Sequence, residues 1–153
     1  MTVETSELGP YHVATIRHIG PYTNVGRIFD ELWKWIVAND LVNDDTVVIG
    51  LSYDDPAILP AEQLRYDACV TVPQGTTGTD RIVIRTLPAQ RYAHTIHVGS
   101  YEGLGPAFGR MFDEWLPRSG AHALPLPCIE VYLDDMARVP IEQLRTLIGI
   151  PVA

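Results

Sequence analysis

The stretch YDDPAILPAEQLR at residues 53–65 returns as LDDMARVPIEQLR at residues 133–145, eighty positions later. The residues that recur identically include Asp54, Asp55, Pro60, Glu62, Gln63, Leu64 and Arg65. A second match, HIGPY at 18–22 and HVGSY at 97–101, has a spacing of 79 positions. The chain is therefore a duplicated module, with one extra residue in the second copy between the two matches. A module of about 75 to 80 residues buries little surface alone, so we expect the copies to share a core.

Each copy has the same predicted elements: an alternating strand that ends at a glycine, an amphipathic helix and two further strands. The helix stripes comprise Val25, Ile28, Phe29, Leu32, Trp33 and Ile36 in the first copy, and Leu104, Phe108, Met111, Phe112 and Trp115 in the second. We expect the second helix to begin near Gly103, because Pro106 is best tolerated in a first helical turn. The predicted strands cover residues 3–8, 11–19, 47–53, 65–72, 81–86, 91–98, 129–133 and 144–150.

These elements predict an α+β fold, with two long helices on about eight mostly antiparallel strands. We expect one domain over residues 1–153, built of two repeats at about 1–73 and 80–153. The turn-rich stretch PQGTTGT at 73–79 joins the repeats.

Composition and charge exclude several functional classes. The formal charge of −8 and the absence of a basic patch argue against direct nucleic-acid binding. No apolar run approaches the roughly 20 residues of a membrane helix, and no basic, apolar leader opens the chain. Neither Cys69 nor Cys128 has disulfide-framework spacing, so we expect a reduced, cytoplasmic protein. No phosphate loop, metal spacing or nucleophile constellation is present, so we expect no cofactor and no metal.

The duplication also shows where the copies differ, most clearly around CIEVYLDD at 128–135. In four aligned pairs, one copy has a small or apolar residue where the other has a larger polar residue. These pairs are Gly50 and Glu130, Ser52 and Tyr132, Thr146 and Tyr66, and Leu147 and Asp67. Because the fold does not require these polar side chains in both copies, function is a candidate cause. They suit a pocket with one polar end. A solvated glutamate and ordinary sheet tyrosines remain the alternatives.

The order of a glycine-tyrosine turn, a helix, RYDACVTV at 65–72, IEVYLDD and a closing IPV at 150–152 resembles the GyrI-like (gyrase-inhibitor-like) small-molecule-binding family. That family includes the effector-binding domains of AraC-type and MerR-type transcription regulators. The resemblance implies two strand-helix-strand-strand (SHS2-type) modules related by a pseudo-twofold axis, with a ligand pocket between them. It also implies an acidic pocket residue, matching Glu130. Because we find no helix-turn-helix, a regulatory role would require another chain.

From the residues and the resemblance together, we expect a stand-alone protein that binds a hydrophobic, cationic or aromatic small molecule, for effector sensing or for sequestration. The expected ligand-binding residues are Glu130, Tyr132, Tyr66, Trp115, Phe112, Trp33 and Phe108. One alternative is a hydrolase of cyclopropane-containing compounds, with Glu130 as base and Tyr66 or Tyr132 as the catalytic donor. Another is an inhibitor that binds DNA gyrase. Trp33 and Trp115 also lie on helix stripes typical of core residues, and the paired Asp54, Asp134, His18 and His97 favour structural roles.

Overall fold

The structure, a computed structural model, describes residues 1–153 and divides into two compact units. We call residues 9–89 the first-repeat unit, and residues 1–8 with 90–153 the second-repeat unit. The elements in chain order are β1 (Glu4–Leu8), β2 (Tyr11–Ile19), α1 (Gly26–Ala38), β3 (Val48–Ser52), β4 (Arg65–Thr71), β5 (Val83–Leu87), β6 (Gln90–Val98), α2 (Leu104–Arg110), a π-helical turn (Met111–Trp115), α3 (Leu116–Ser119), β7 (Cys128–Tyr132) and β8 (Arg145–Pro151). The predicted α+β fold is confirmed.

Each unit contains four antiparallel strands. In the first-repeat unit the strand order is β3, β4, β2, β5, with Ile16 opposite Ala68. In the second-repeat unit it is β1, β6, β8, β7, with Ala93 opposite Ile150. The unit boundaries therefore lie at 8/9 and 89/90. The strand that opens each repeat belongs to the unit that holds the rest of the other repeat.

Helix α1 is positioned by three apolar residues spaced four apart. Ile28, Leu32 and Ile36 are buried on one face, because this spacing places them on a single helix stripe. They pack with Ile16 of β2 in the core of the first-repeat unit. The helix ends at Ala38, and Asp40 then adopts a left-handed φ of 55°. The buried face of α1 therefore packs against β2 and β4.

The second-repeat unit has an equivalent core under a longer helical segment. Leu104, Ala107 and Met111 are buried and pack with Ile148 and Ile150 of β8. The segment runs from α2 through the π-helical turn into α3 without a break, and its first residue lies one position after the predicted start near Gly103.

Two aromatic residues of the predicted stripes lie outside these cores. Trp33 is 40% exposed and Phe112 is 39% exposed, so the prediction that they face the core is wrong. Each follows a fully buried residue, Leu32 or Met111, and one helical step rotates the side chain by about 100°, away from the sheet. Trp115 is half-buried and packs against the core, as predicted.

The residues that recur in both copies form the same local structure twice. The Arg65 N–H donates to Asp54 Oδ2 at 2.8 Å, and the Arg145 N–H donates to Asp134 Oδ2 at 2.8 Å. The structural role predicted for Asp54 and Asp134 is thus to close the same loop in each copy, between residues eleven positions apart. The neighbouring Asp55 and Asp135 cap turns, because each Oδ1 accepts the N–H two residues later at 2.8 Å. The histidines are structural too: His18 Nε2 donates to the Pro21 carbonyl at 3.1 Å, and His97 makes the equivalent bond to the Ser100 carbonyl at 2.9 Å.

None of the helices combines the length and the apolar character needed to cross a lipid bilayer.

Candidate functional site

The carboxylate of Glu130 lies on the helix-facing side of β7. Its cross-strand partner is Ile148, a residue of the core beneath the helical segment. Side chains opposite each other on paired strands point to the same face of the sheet, so Glu130 points toward that core. The residue is only 9% exposed. A carboxylate in this position loses most of its hydration and requires hydrogen-bond donors or a cation.

A tyrosine two residues along the same strand supplies one donor. The Tyr132 hydroxyl donates a short hydrogen bond to Glu130 Oε2. The Tyr132 ring packs edge-on against Tyr101, with ring centroids 5.2 Å apart and an interplanar angle of 76°. Burial raises the pKa of the Tyr101 hydroxyl, and the negative charges of Asp134, Asp135 and Glu130 raise it further. We call Glu130, Tyr132 and Tyr101 the carboxylate cluster.

A buried hydroxyl adjoins the carboxylate cluster. Thr146 lies opposite Tyr132 on β8 and is fully buried, and its Oγ1 has no hydrogen-bond partner. Leaving a buried hydroxyl unpaired costs about 1–3 kcal/mol. The helix-facing side of β7 and β8 thus holds a carboxylate and an unsatisfied hydroxyl on neighbouring strands, among otherwise apolar residues.

The first-repeat unit fills the equivalent space with an aromatic ring. Gly50 matches Glu130, and a Cβ built on Gly50 would lie 1.8 Å from the Tyr66 hydroxyl oxygen. Tyr66, which matches Thr146, is 1% exposed and lies over that glycine, and its ring contacts Phe29 at 6.0 Å between centroids. The two repeats therefore use the same position differently: a large ring over glycine in one, and a carboxylate beside a threonine in the other.

The predicted ligand-binding residues fall into three groups. Glu130, Tyr132, Trp115 and Phe108 belong to the helix-facing side of the second-repeat unit, where the last three pack against its core. Phe112 lies on the same helical segment but on its exposed side. Tyr66 and Trp33 belong to the first-repeat unit, one buried and the other exposed.

The first-repeat unit contains an ionic network around Asp67 that was not included in the predicted site. The carboxylate of Asp67, whose side chain is 4% exposed, accepts two hydrogen bonds from Arg17 at 2.8 and 3.0 Å, one from Arg85 at 2.6 Å and one from the Tyr53 hydroxyl at 2.7 Å. The alignment of Asp67 with Leu147 was the signal that pointed to it. These four side chains carry a net charge of +1 and tie β2, β4 and β5 together on the sheet face opposite α1.

The buried thiol of Cys69 lies two residues after Asp67 on β4, on the same face of the strand. Its burial raises its pKa to about 12. Because only the thiolate is a good nucleophile, this side chain is inert at neutral pH.

Each unit has a cleft on its surface. The first, about 630 Å³, is lined by Thr15, Ile16, Arg17, Asp67, Asp80, Arg81, Val83 and Arg85. The second, about 710 Å³, is lined by residues near Met1 and along β6, with Ala107, Arg110 and Leu147. Neither of these two clefts has Glu130 or Tyr132 in its lining.

The fold and the pair of unequal repeats are those of one family of domains. The chain belongs to the family of GyrI-like small molecule binding domains, whose match covers residues 1–153. The resemblance inferred from the sequence is confirmed.

Individual relatives span the chain almost end to end. The DNA gyrase inhibitor of Escherichia coli K12 is 30% identical over 129 residues, which cover 82% of this chain and 81% of the inhibitor. The crystal structure of the EcmrR C-terminal domain superposes with a TM-score of 0.84 at 18% identity, covering 99% of this chain and 97% of that domain. The structure of SAV2435 bound to tetraphenylphosphonium gives a TM-score of 0.70 at 13% identity, with 100% and 94% coverage. At these identities the two structures show a shared fold.

Proposed function

We propose that this protein binds hydrophobic small molecules that are cationic or aromatic, with Glu130 as the counter-charge, and that it senses or sequesters them. One observation carries the proposal: a carboxylate only 9% exposed occupies a position that the other repeat leaves as glycine. The first repeat fills the same position with the Tyr66 ring over glycine, so the fold does not require a charge there, and this supports a role for Glu130 in binding. SAV2435, which has this fold, binds a lipophilic cation, tetraphenylphosphonium.

A lipophilic cation suits the chemistry of the carboxylate cluster. Its charge would replace the water that Glu130 has lost, and its apolar body would contact the aromatic rings of Tyr101, Tyr132, Trp115 and Phe108. Burying apolar ligand surface contributes about 25 cal/mol per Å². Cation–π attraction to the rings adds about 0.5–2 kcal/mol. Affinity should therefore depend on the sign of the ligand charge as well as on ligand size.

The test is calorimetric titration of the wild type and of Glu130→Gln with tetraphenylphosphonium and with neutral triphenylphosphine oxide. We expect the wild type to prefer the cation. Glu130→Gln should weaken cation binding about tenfold or more, because it removes a charge-assisted contact in a partly dehydrated site, and should leave the neutral compound unaffected. Ser52→Ala, at the position that matches Tyr132 in the other repeat, is the control.

Three results would change the assignment. Absence of binding by the wild type would overturn the proposal. Equal cation binding by wild type and Glu130→Gln would remove Glu130 from the site. Turnover of a cyclopropane-containing compound, detected by mass spectrometry and lost in Glu130→Gln, would support the hydrolase alternative with Glu130 as base.

A second candidate function rests on the 30%-identical E. coli relative, which is a DNA gyrase inhibitor. With a formal charge of −8, this chain is complementary to a basic DNA-binding groove and would compete there with DNA. We expect an inhibitor to reduce supercoiling by gyrase at low salt, and to do so less at high salt, because screening weakens the attraction. Unchanged supercoiling with excess protein would remove this candidate.

A further inference from the structure

The extra residue of the second repeat lies inside its helix. Before the helix, matching backbone features are 79 positions apart: Gly20 and Gly99 have positive φ values of 144° and 126°. After the helix, the spacing is 80: Asp40 and Gly120 have left-handed φ values of 55° and 76°. The buried residue Leu32 still matches Met111 at a spacing of 79. The insertion is therefore located between Met111 and Gly120.

The helix accommodates this residue as a π-helical turn. The Leu116 N–H donates to the Met111 carbonyl, five residues earlier, where an α-helix would use four. Pro117 follows directly, at the position where α1 has Val37. A proline ring clashes with the carbonyl four residues before it and lacks an N–H, so a wider turn at this point relieves the clash. With the insertion placed in this turn, the residues after it align with α1 at a spacing of 80, so Trp115 matches Trp35 and Leu116 matches Ile36.

The ends of the turn share a core cluster with the residues that flank Glu130. Met111 and Trp115, its first and last residues, pack in the same cluster as Cys128 and Tyr132. These two are the neighbours of Glu130 on the helix-facing side of β7, one two residues before it and one two residues after it. In α1 the corresponding stretch is closed by Ile36, which is fully buried, whereas Leu116 is only partly buried.

We infer that this one-residue insertion sets the size of ligand that the Glu130 site accepts. The helical segment carries an additional residue between Met111 and Gly120, and Leu116 is less buried there than Ile36 is in α1, so the segment closes less tightly on its core than α1 does. The inference rests on the proposed function, since it assigns the π-helical turn a role in the same site. The two repeats would then differ in this site by two changes: glutamate instead of glycine on the strand, and one additional residue in the helix.

The experiment removes the insertion and restores the first-repeat sequence at the proline. The variant deletes the exposed residue Asp113 and carries Pro117→Val. We expect circular dichroism to show a folded protein with a Tm equal to or above that of the wild type, because a regular α-helix replaces the π-helical turn and the helical proline is gone. We expect tetraphenylphosphonium affinity to fall at least tenfold, and tetramethylphosphonium affinity to change less than threefold. Pro117→Val and Asp113→Ala, both at full length, are the matched controls.

The outcomes separate this inference from the proposed function. If wild-type binding depends on Glu130 but the deletion leaves the ratio of the two affinities unchanged, the inference is overturned and the proposed function stands. If the wild type binds neither cation, both are overturned. A second deletion, of Glu114 with Pro117→Val, covers a folding failure of the first. If neither deletion variant folds, the turn is structural and the inference is overturned.

Discussion

Thr146 is a single side chain whose burial is not matched by hydrogen bonding. Its hydroxyl is enclosed beside Tyr132 without a partner, whereas the buried Thr15 hydroxyl of the first-repeat unit donates to the Val83 carbonyl at 3.2 Å. Two buried threonines thus differ in the one property that decides whether a hydroxyl stabilises the fold. Thr146 retains an unused donor and acceptor on the strand next to Tyr132, at the expense of stability in the free protein.

We predict that Thr146→Val raises the free energy of unfolding by about 1 kcal/mol, because a methyl group replaces a hydroxyl that is desolvated without a bond. Urea unfolding would show this as a higher midpoint with an unchanged slope. Thr15→Val is the matched control and should lower the free energy of unfolding, since it breaks an existing bond. A loss of stability in Thr146→Val would mean that the hydroxyl is bonded in solution.

At the scale of elements, the Asp67 network holds β2, β4 and β5 of the first-repeat unit together. The second-repeat unit replaces Arg17, Asp67 and Tyr53 with Ile96, Leu147 and Leu133, so the same sheet face is built there without these charges. A sheet face without these charges is therefore compatible with the fold. Loss of one member alone is different, because it leaves the remaining charges close together and uncompensated.

We predict that Asp67→Asn lowers the free energy of unfolding by roughly 2 kcal/mol. The loss should be smaller than for a fully buried pair, because Arg17 and Arg85 are 44% and 36% exposed and stay partly solvated. Glu31→Gln, which breaks the exposed pair with Arg81, is the control and should change little. Equal effects of the two substitutions on thermal unfolding would contradict the prediction.

The elements were predictable because the repeat shows each of them twice. The predicted strand at 11–19 matches β2, and the predicted second helix begins within a turn of Leu104. The π-helical turn was not predictable, because five residues are too few for hydrophobic periodicity to separate π from α. Tyr132 as a donor to Glu130 was one of two options in the sequence. The hydrogen bond from Tyr132 shows that this tyrosine is a donor to Glu130. The packing of Tyr66 over Gly50 was not predictable, because a glycine leaves no mark on a hydrophobic pattern.

For the whole molecule, the same acid-sensitive contact occurs once in each repeat. Bidentate hydrogen bonds from Arg65 hold the pKa of the Asp54 carboxyl below its usual value, and Arg145 does the same for Asp134. A carboxyl whose pKa is lowered in the folded state stabilises the fold above its unfolded pKa, and this stability is lost as the pH falls through the folded pKa.

We predict that the Tm of the wild type falls as the pH is lowered below the ordinary aspartate pKa of about 4. The double variant Asp54→Asn with Asp134→Asn should have a lower Tm at pH 7 and a shallower decrease in acid, because it has lost the titrating groups. Arg65→Met with Arg145→Met removes the partners and should behave in the same way. Parallel pH profiles for the wild type and the variants would refute the assignment.

The exchange of opening strands between the repeats has a consequence for synthesis. β1 is made first, yet Glu4 pairs with His94, ninety residues later, so the first strand leaves the ribosome long before its partner exists. The sheet that carries Glu130 can be completed only when both ends of the chain are available. Folding of that sheet should therefore be slow and follow release of the chain, since distant pairing must overcome the entropy of a long loop. A bulky group attached next to β1 would burden the sheet that carries Glu130, although the other strands of that sheet lie after residue 89.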